Sequence, residues 1–204
     1  MEDKYTKFEE LIAEEKEGVD YRVQYEYRSL KLLVLAPHGG SIEPGTSELA
    51  KAVAGVDLSF YLFEGIKPSG NFALHITSSN FDEPKALEML KACEKAIAIH
   101  GEKSDEEIVY IGGRDEEMWS HVIQCLKEAG FITRTHRGPT MRGTSRSNVC
   151  NRCRTGAGLQ LELSRGLRKL FFRSLSRDDR GYHSELFDSF VRAVRAGIGC
   201  ANTV

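Results

Sequence analysis

The sequence predicts an α/β protein with a single domain, in which an open, mostly parallel mixed sheet carries helices on both faces. Strand and helix patterns alternate along most of the 204 residues. Residues 32–36 form a continuous apolar run, as expected of a strand that is covered on both faces. The length suits one full core, and no linker or repeat divides the chain, so residues 1–204 are predicted to form one domain.

The N-terminal half begins with an acidic amphipathic helix, an alternating edge strand and the apolar run. Thr46 is predicted to cap the next helix, and an apolar strand follows it. Pro84 then opens a third helix, because proline is favoured in a first helical turn. In order, these elements cover residues 5–15, 21–27, 32–36, 46–53, 58–63 and 84–93.

The C-terminal half contains two short buried strands that each end near glycine, and then a helix that Gly130 stops. A further strand precedes a long polar loop over residues 138–158. A strand of alternating leucines and two helices complete the chain. In order, these elements cover residues 96–99, 108–111, 116–129, 131–135, 159–163, 165–172 and 185–196.

Charge and composition exclude some classes of protein. The net charge of -2 supplies no basic field for nucleic acid. No apolar run approaches the ~20 residues that cross a bilayer. The acidic N-terminus lacks the basic and apolar regions of a signal peptide, so we expect cytoplasmic synthesis, with which release by lysis is compatible. The sequence leaves the oligomeric state open.

The five cysteines are predicted to be reduced, because their number is odd and no signal peptide is recognised. Cys150 and Cys153 form a CxxC pair in the polar loop. A structural zinc knuckle needs further ligands nearby, and a redox CxxC normally opens a helix after a strand. The sequence therefore assigns this pair no role.

Four chemistry-bearing residues lie at predicted strand ends, where open α/β sheets bind their ligands. His38 and Glu43 follow the apolar run, His100 ends another strand, and Glu162 lies within the strand LQLELS. Two imidazoles and a carboxylate are usual ligands of a catalytic zinc, and a second carboxylate can act as general base and acid. Taken singly, each residue also suits an ordinary hydrogen bond or ion pair.

Four segments carry a family resemblance: APHGGSIEPGTSELA, LFEGIKPSGNFALHITSSNFDEP, AIAIHG and NVCNRCRTGAGLQLELSRGLR. Together they resemble the phage-type poly-gamma-glutamate hydrolase family, which overlaps proteins labelled phage-related replication proteins. The resemblance spans about residues 32–172, most of the chain. A wider resemblance to zinc carboxypeptidases and N-formylglutamate amidohydrolases implies a mixed α/β sheet with zinc near the strand ends.

The resemblance implies that His38, Glu43 and His100 bind Zn²⁺ and that Glu162 is the base that activates water. Zinc carboxypeptidases hold their first histidine and glutamate closer together, as His-x2-Glu. Glu64 is therefore the alternative third ligand. His75 is another possible ligand, although contact with substrate or support of the ligand shell is the favoured expectation.

The implied substrate has γ-glutamyl amide bonds and a carboxylate on every residue, as in poly-γ-glutamate or a shorter γ-glutamyl compound. Arg152 and Arg168 are expected to bind these carboxylates, because guanidinium forks match them. Asn71 is expected to hydrogen-bond a substrate amide. The alternative is a non-catalytic phage replication accessory or polyanion-binding protein. Endo and exo cleavage are not distinguished.

Overall fold

A computed structural model of the chain describes residues 3–136 and 138–201. Its described strands form one mixed sheet of seven strands. They are β1 (Tyr21–Glu26), β2 (Leu32–Gly40), β3 (Ser59–Gly65), β4 (Lys95–Glu102), β5 (Ile108–Gly113), β6 (Ile132–Arg134) and β7 (Leu159–Ser164). Their order across the sheet is β1-β3-β2-β4-β7-β5-β6.

The described helices cover both faces of this sheet. They are α1 (Phe8–Glu14), α2 (Thr46–Ala54), α3 (Pro84–Ala92), α4 (Glu116–Glu128), α5 (Arg165–Phe171) and α6 (Glu185–Ala201). One apolar core contains residues of α2, α4, α5 and α6, and a second contains residues of α1 and α3. None of these helices is long and apolar enough to span a membrane. The predicted α/β fold with helices on both faces is confirmed.

The centre of the sheet is parallel, because β3, β2, β4 and β7 pair in parallel in that order. The outer strands make the sheet mixed: β1 pairs antiparallel with β3, and β5 pairs antiparallel with β7. The carboxyl ends of the neighbouring strands β2, β4 and β7 consequently meet at one edge of the sheet. This is where ligands bind in open α/β sheets.

β2 and β4 continue beyond their predicted ends. β2 runs to Gly40 and β4 to Glu102, so His38 and His100 lie inside strands instead of just after them. The extension has a physical reason, since Gly39 and Gly40 pair with β3, and Gly101 pairs with Leu163 of β7. Backbone pairing thus fixes both histidines more firmly than a loop would.

The CxxC thiols are buried and face main-chain carbonyls. Cys150 Sγ lies 4.0 Å from the Gly143 oxygen, and Cys153 Sγ lies 3.4 Å from the Ala157 oxygen. Burial raises the pKa of the Cys150 thiol. Because the thiolate is the reactive form, these contacts favour a packing role for the pair over redox chemistry.

Candidate metal and catalytic site

The chain turns after the end of β2 and brings Glu43 back beside His38. The β2–β3 register shifts between Ala36 and Gly39, and the Glu43 amide donates to the His38 carbonyl at 2.9 Å. Gly40 has φ of +64°, and a Cβ there would lie 2.5 Å from the Gly65 oxygen. A glycine is therefore required at this turn.

His100 and Glu162 are direct partners in the parallel register of β4 and β7. Both side chains are almost fully buried, with 2% and 8% of their surface exposed. Neighbouring partners in a sheet point to the same face. The sheet itself therefore holds the imidazole and the carboxyl group side by side.

Potential ligand atoms of three residues lie at distances that suit one metal ion, and Glu43 faces each histidine through a different carboxylate oxygen. His38 Nδ1 lies 3.3 Å from Glu43 Oε1 and 3.2 Å from His100 Nδ1. His100 Nδ1 lies 3.6 Å from Glu43 Oε2. Tetrahedral zinc with ligands at about 2.0–2.2 Å separates those ligands by roughly 3.3–3.6 Å. The three residues thus fit a zinc ion by spacing and by chemistry.

Hydrogen bonds on the far side of each ring orient the two imidazoles. His38 Nε2 donates to the Ile76 carbonyl at 2.8 Å. Because a carbonyl only accepts, His38 Nδ1 carries the free lone pair that a metal ligand needs. His100 Nε2 lies 3.3 Å from Ser78 Oγ, so its Nδ1 faces Glu43 in the same way. Such outer contacts are characteristic of histidines that bind metal.

His75 is a further candidate ligand. The ligand atoms of His38, Glu43 and His75 all lie within 4.8 Å of one another. His75 Nδ1 lies 2.6 Å from Asp3 Oδ1, which directs Nε2 towards Glu43 Oε1 at 3.8 Å. Burial, together with the nearby His38, lowers the pKa of His75 to about 4. A neutral His75 can therefore offer a lone pair to the same ion or to substrate.

The site favours a positive charge between its carboxylates. Burial alone would raise the pKa of Glu43, but His38 and His100 hold that pKa well below its ordinary value. Burial alone would lower the pKa of His100, but Glu43 and Glu162 raise it. A cation at this position, whether a proton or a metal ion, is thus stabilised by its surroundings.

Glu162 has the properties of a general base and acid. Burial raises the pKa of Glu162 to about 7, Glu43 and Glu102 act in the same direction, and His100 opposes them. The Gln160 amide donates to Glu162 Oε1 at 3.1 Å and so orients the carboxyl group. A group whose pKa lies near neutrality can both accept and return a proton.

These residues share one cavity of about 820 Å³. Its lining includes the proposed ligands and base and His75, together with residues of the long polar loop. The volume falls within the ordinary range for small-molecule sites. Residues that are far apart in sequence, at 38, 43, 100 and 162, are therefore brought together.

Glu64, the alternative zinc ligand, points elsewhere. Its Oε2 accepts from Arg22 Nε at 2.6 Å, and it does not contribute to the described lining of the cavity. The geometry therefore favours Glu43 over Glu64 despite the larger spacing from His38.

The structure places the predicted substrate-binding residues Arg152, Arg168 and Asn71 outside the described lining of the cavity. The Arg152 guanidinium donates to carbonyls of 147, 81 and 79, and that of Arg168 donates to carbonyls of 163, 44 and 102. Asn71 exchanges hydrogen bonds with the Lys67 main chain. Each of these side chains is thus hydrogen-bonded to main-chain groups of the folded chain.

Sequence reasoning missed several residues of the cavity. Lys103 lies three positions after His100, and Gln160 shares a strand face with Glu162, so sequence position could have indicated both. Asp3, Phe72 and Ser78 come from segments without a strand or helix pattern, and no sequence signal pointed to them.

The fold and the site define a class. An α/β sheet with a His–Glu–His cluster at its strand ends, next to a carboxyl group of raised pKa, is typical of metal-dependent hydrolases. The sequence profile of the poly-gamma-glutamate hydrolase family matches residues 5–193. The chain therefore belongs to this family, and the resemblance noted in the sequence is confirmed.

Relatives and solved structures agree with this assignment. The SPbeta prophage-derived UPF0714 protein YoqZ of Bacillus subtilis (strain 168) is 38% identical over 191 residues, which cover 93% of this chain and 69% of YoqZ. The structure of a bacteriophage poly-gamma-glutamate hydrolase matches with a TM-score of 0.94 and 33% identity, covering 97% of each chain. A zinc-free apo structure of YndL matches with a TM-score of 0.93 and 37% identity, covering 98% of this chain and 100% of that one.

Proposed function

We propose that the chain is a zinc-dependent amidohydrolase that cleaves γ-glutamyl amide bonds in poly-γ-glutamate. One observation carries the proposal: His38, Glu43, His100 and Glu162 converge in a single cavity of a chain from the poly-gamma-glutamate hydrolase family. Two similar structures support it, since one is a bacteriophage hydrolase of this polymer and the other is described as zinc-free.

In this mechanism, His38, Glu43 and His100 would hold the zinc ion. Zinc bound there supplies Lewis acidity to the substrate amide and to water. Glu43 contributes negative charge, and its Oε2 accepts from the Gly101 amide at 2.8 Å, which keeps the carboxylate aligned. The buried imidazoles exclude bulk water from one side of the reacting centre, which strengthens electrostatic interactions there.

Glu162 moves the proton. Its carboxylate accepts a proton from the attacking water and later returns it to the leaving amide nitrogen. Gln160 engages one carboxyl oxygen, at 3.1 Å, which leaves the second oxygen for the transfer. With a pKa of about 7, Glu162 exists in both forms near neutral pH.

The test of this function uses the purified protein with one equivalent of zinc. The protein is incubated with γ-linked and α-linked polyglutamate, and chain length is followed by size-exclusion chromatography. We expect the γ-linked polymer to shorten and the α-linked polymer to stay intact. Glu162→Gln should lower kcat at least about 100-fold while zinc content stays at that of the wild type.

The matched control is Glu117→Gln, at an exposed position of α4. This variant should retain full turnover. If the γ-linked polymer keeps its length under all metal loadings, the hydrolase proposal fails. Binding of polyglutamate and of DNA with steep salt dependence and no cleavage would instead support the non-catalytic polyanion-binding function.

A further inference from the structure

We propose that Lys103 is a specificity-determining residue that binds an α-carboxylate of the γ-linked polymer near the bond to be cut. This inference rests on the proposed function and names the group that would recognise the acidic substrate. The predicted recognition residues, Arg152 and Arg168, use their guanidinium groups on main-chain carbonyls. Recognition of a polyanion therefore needs another cation.

The negative charge of the cavity lining adds to the need for a cation that binds the substrate. Its described lining contains four carboxylates, those of Asp3, Glu43, Glu102 and Glu162. Among the described lining residues, Lys103 alone carries an ammonium or guanidinium group. Zinc bound at Glu43 would offset part of this charge at the reacting centre, and a polymer with a negative charge on every residue needs a further cation along its path. Lys103 is the side chain in position to provide this cation.

The Lys103 ammonium is held in place without being neutralised. Its Nζ lies 4.6 Å from the centroid of the Phe72 ring, within the range of a cation–π contact. The side chain is exposed, and among the described residues no carboxylate pairs with it. In contrast, Arg165 and Lys169 nearby in the fold are both paired with Asp105. No described carboxylate therefore competes with a ligand for the Lys103 ammonium.

A column of rings connects this ammonium to the candidate metal centre. The Phe72 and His75 rings are stacked with centroids 5.2 Å apart, and the His75 and His38 rings are 3.9 Å apart. Measured along this column, the distance from Lys103 Nζ to the His38 ring is at most about the length of two residues of a γ-linked chain. Each such residue spans roughly 6 Å. A carboxylate within about two residues of the scissile amide is therefore within reach of Lys103.

The chemistry of the linkage makes this position informative. In a γ-linked polymer, each carboxylate is attached to the carbon that bears the amide nitrogen. In an α-linked polymer, the carboxylate stands at the end of a side chain, separated from that carbon by two methylene groups. A cation at a fixed distance from the metal can therefore distinguish the two linkages as well as acidic from neutral polymers.

The experiment compares Lys103→Gln with the wild-type zinc enzyme on two short γ-linked oligomers. One oligomer has free α-carboxylates, and the other carries neutral α-carboxamides at the same positions. We expect Lys103→Gln to lower kcat/KM on the acidic oligomer about fivefold to tenfold, mainly through KM, and to leave the carboxamide oligomer within about twofold. Lys103→Arg should retain most of the preference for the acidic oligomer over the carboxamide oligomer. Lys103→Glu should lower this preference below that of Lys103→Gln.

Lys127→Gln is the matched control, because Lys127 is an exposed lysine on α4 and does not line the described cavity. It should behave as the wild type on both oligomers. The inference is overturned if Lys103→Gln has the kcat/KM of the wild type on the acidic oligomer. It is also overturned if Lys103→Gln lowers kcat/KM equally on the acidic and the carboxamide oligomer. If the wild-type enzyme cuts neither the oligomers nor the polymer, the proposed function fails first.

Discussion

Ser78 illustrates how single residues outside the His–Glu–His cluster set its geometry. Its Oγ lies 3.3 Å from His100 Nε2, so it fixes the ring whose other nitrogen faces Glu43. Asp3 does the same for His75, at 2.6 Å, and also accepts from the Thr77 amide at 2.6 Å. These contacts orient the imidazoles before any ion is bound, which lowers the cost of assembling the site.

Ser78→Ala should weaken zinc affinity about tenfold, because the His100 ring loses the contact that orients it. The measurement is competition for zinc against a chromogenic chelator. Ser79→Ala is the control, since Ser79 Oγ donates to the exposed Asn80 Oδ1 at 3.4 Å. Equal zinc affinity in the two variants would contradict an orienting role for Ser78.

The sequence indicated the candidate metal ligands and the candidate base, but it did not indicate the residues that orient them. His38, Glu43, His100 and Glu162 stood out because a polar, metal-binding side chain at a predicted strand end is conspicuous. Asp3 and Ser78 reach the site through loops, and loop paths depend on tertiary contacts that no local pattern encodes. The main-chain contacts of Arg152 and Arg168 were also hidden, because charge in a sequence does not reveal whether a guanidinium group faces solvent or carbonyl groups.

At the scale of elements, the long polar loop is a folded part of the cavity wall. It contains two short 3-10 turns, Pro139–Arg142 and Val149–Arg152. Asn148 donates to Gln160 Oε1 at 2.9 Å, which connects the loop to the strand that bears Glu162. Arg152 ties the same loop to the segment that precedes α3, through the carbonyls of Ser79 and Phe81.

Arg152→Gln should lower the free energy of unfolding by about 1–3 kcal/mol, because it leaves carbonyl groups without their charged donor. Urea denaturation measures the change. Arg154→Gln, which replaces an exposed arginine 3.9 Å from Glu94, should cost less than about 0.5 kcal/mol. A fully stable Arg152→Gln protein with a raised KM for the polymer would restore the original substrate-binding prediction.

Hydrophobic periodicity predicted whether a segment forms a helix or a strand. It did not predict the residue at which each strand ends. The apolar run at residues 32–36 predicted β2, but the strand continues through Pro37 and His38 to Gly40. Pairing with β3 extends it, and only the neighbouring strand, remote in sequence, supplies those partners. The direction of β5, antiparallel to β7, was likewise hidden, since direction depends on the path of connections.

On the scale of the whole molecule, the candidate metal site links separate parts of the sheet. His38 belongs to β2, Glu43 to the turn before α2, and His100 to β4. An ion held by all three binds the folded chain and has no comparable site in the unfolded chain. Metal binding is therefore expected to stabilise the native fold by mass action.

Zinc at about 100 times its dissociation constant should stabilise the fold by about 2.7 kcal/mol, which raises Tm by roughly 5–10 °C in a protein of this size. Differential scanning calorimetry with and without zinc measures the shift. His100→Ala should lose most of it, whereas His136→Ala, whose Nδ1 accepts from the Gly138 amide at 3.2 Å, should keep it. An unchanged shift in His100→Ala would exclude this histidine from the metal site.

The pairing of His100 with Glu162 has one more consequence. Adjacent strands keep a spacing of about 4.8 Å whatever side chains surround them. The distance between the His100 imidazole and the Glu162 carboxyl group is thus set by the backbone pairing of β4 with β7. It does not depend on the turns that enclose the cavity. Insertions or exchanges in those turns can alter which polymers enter while the reacting groups keep their mutual placement.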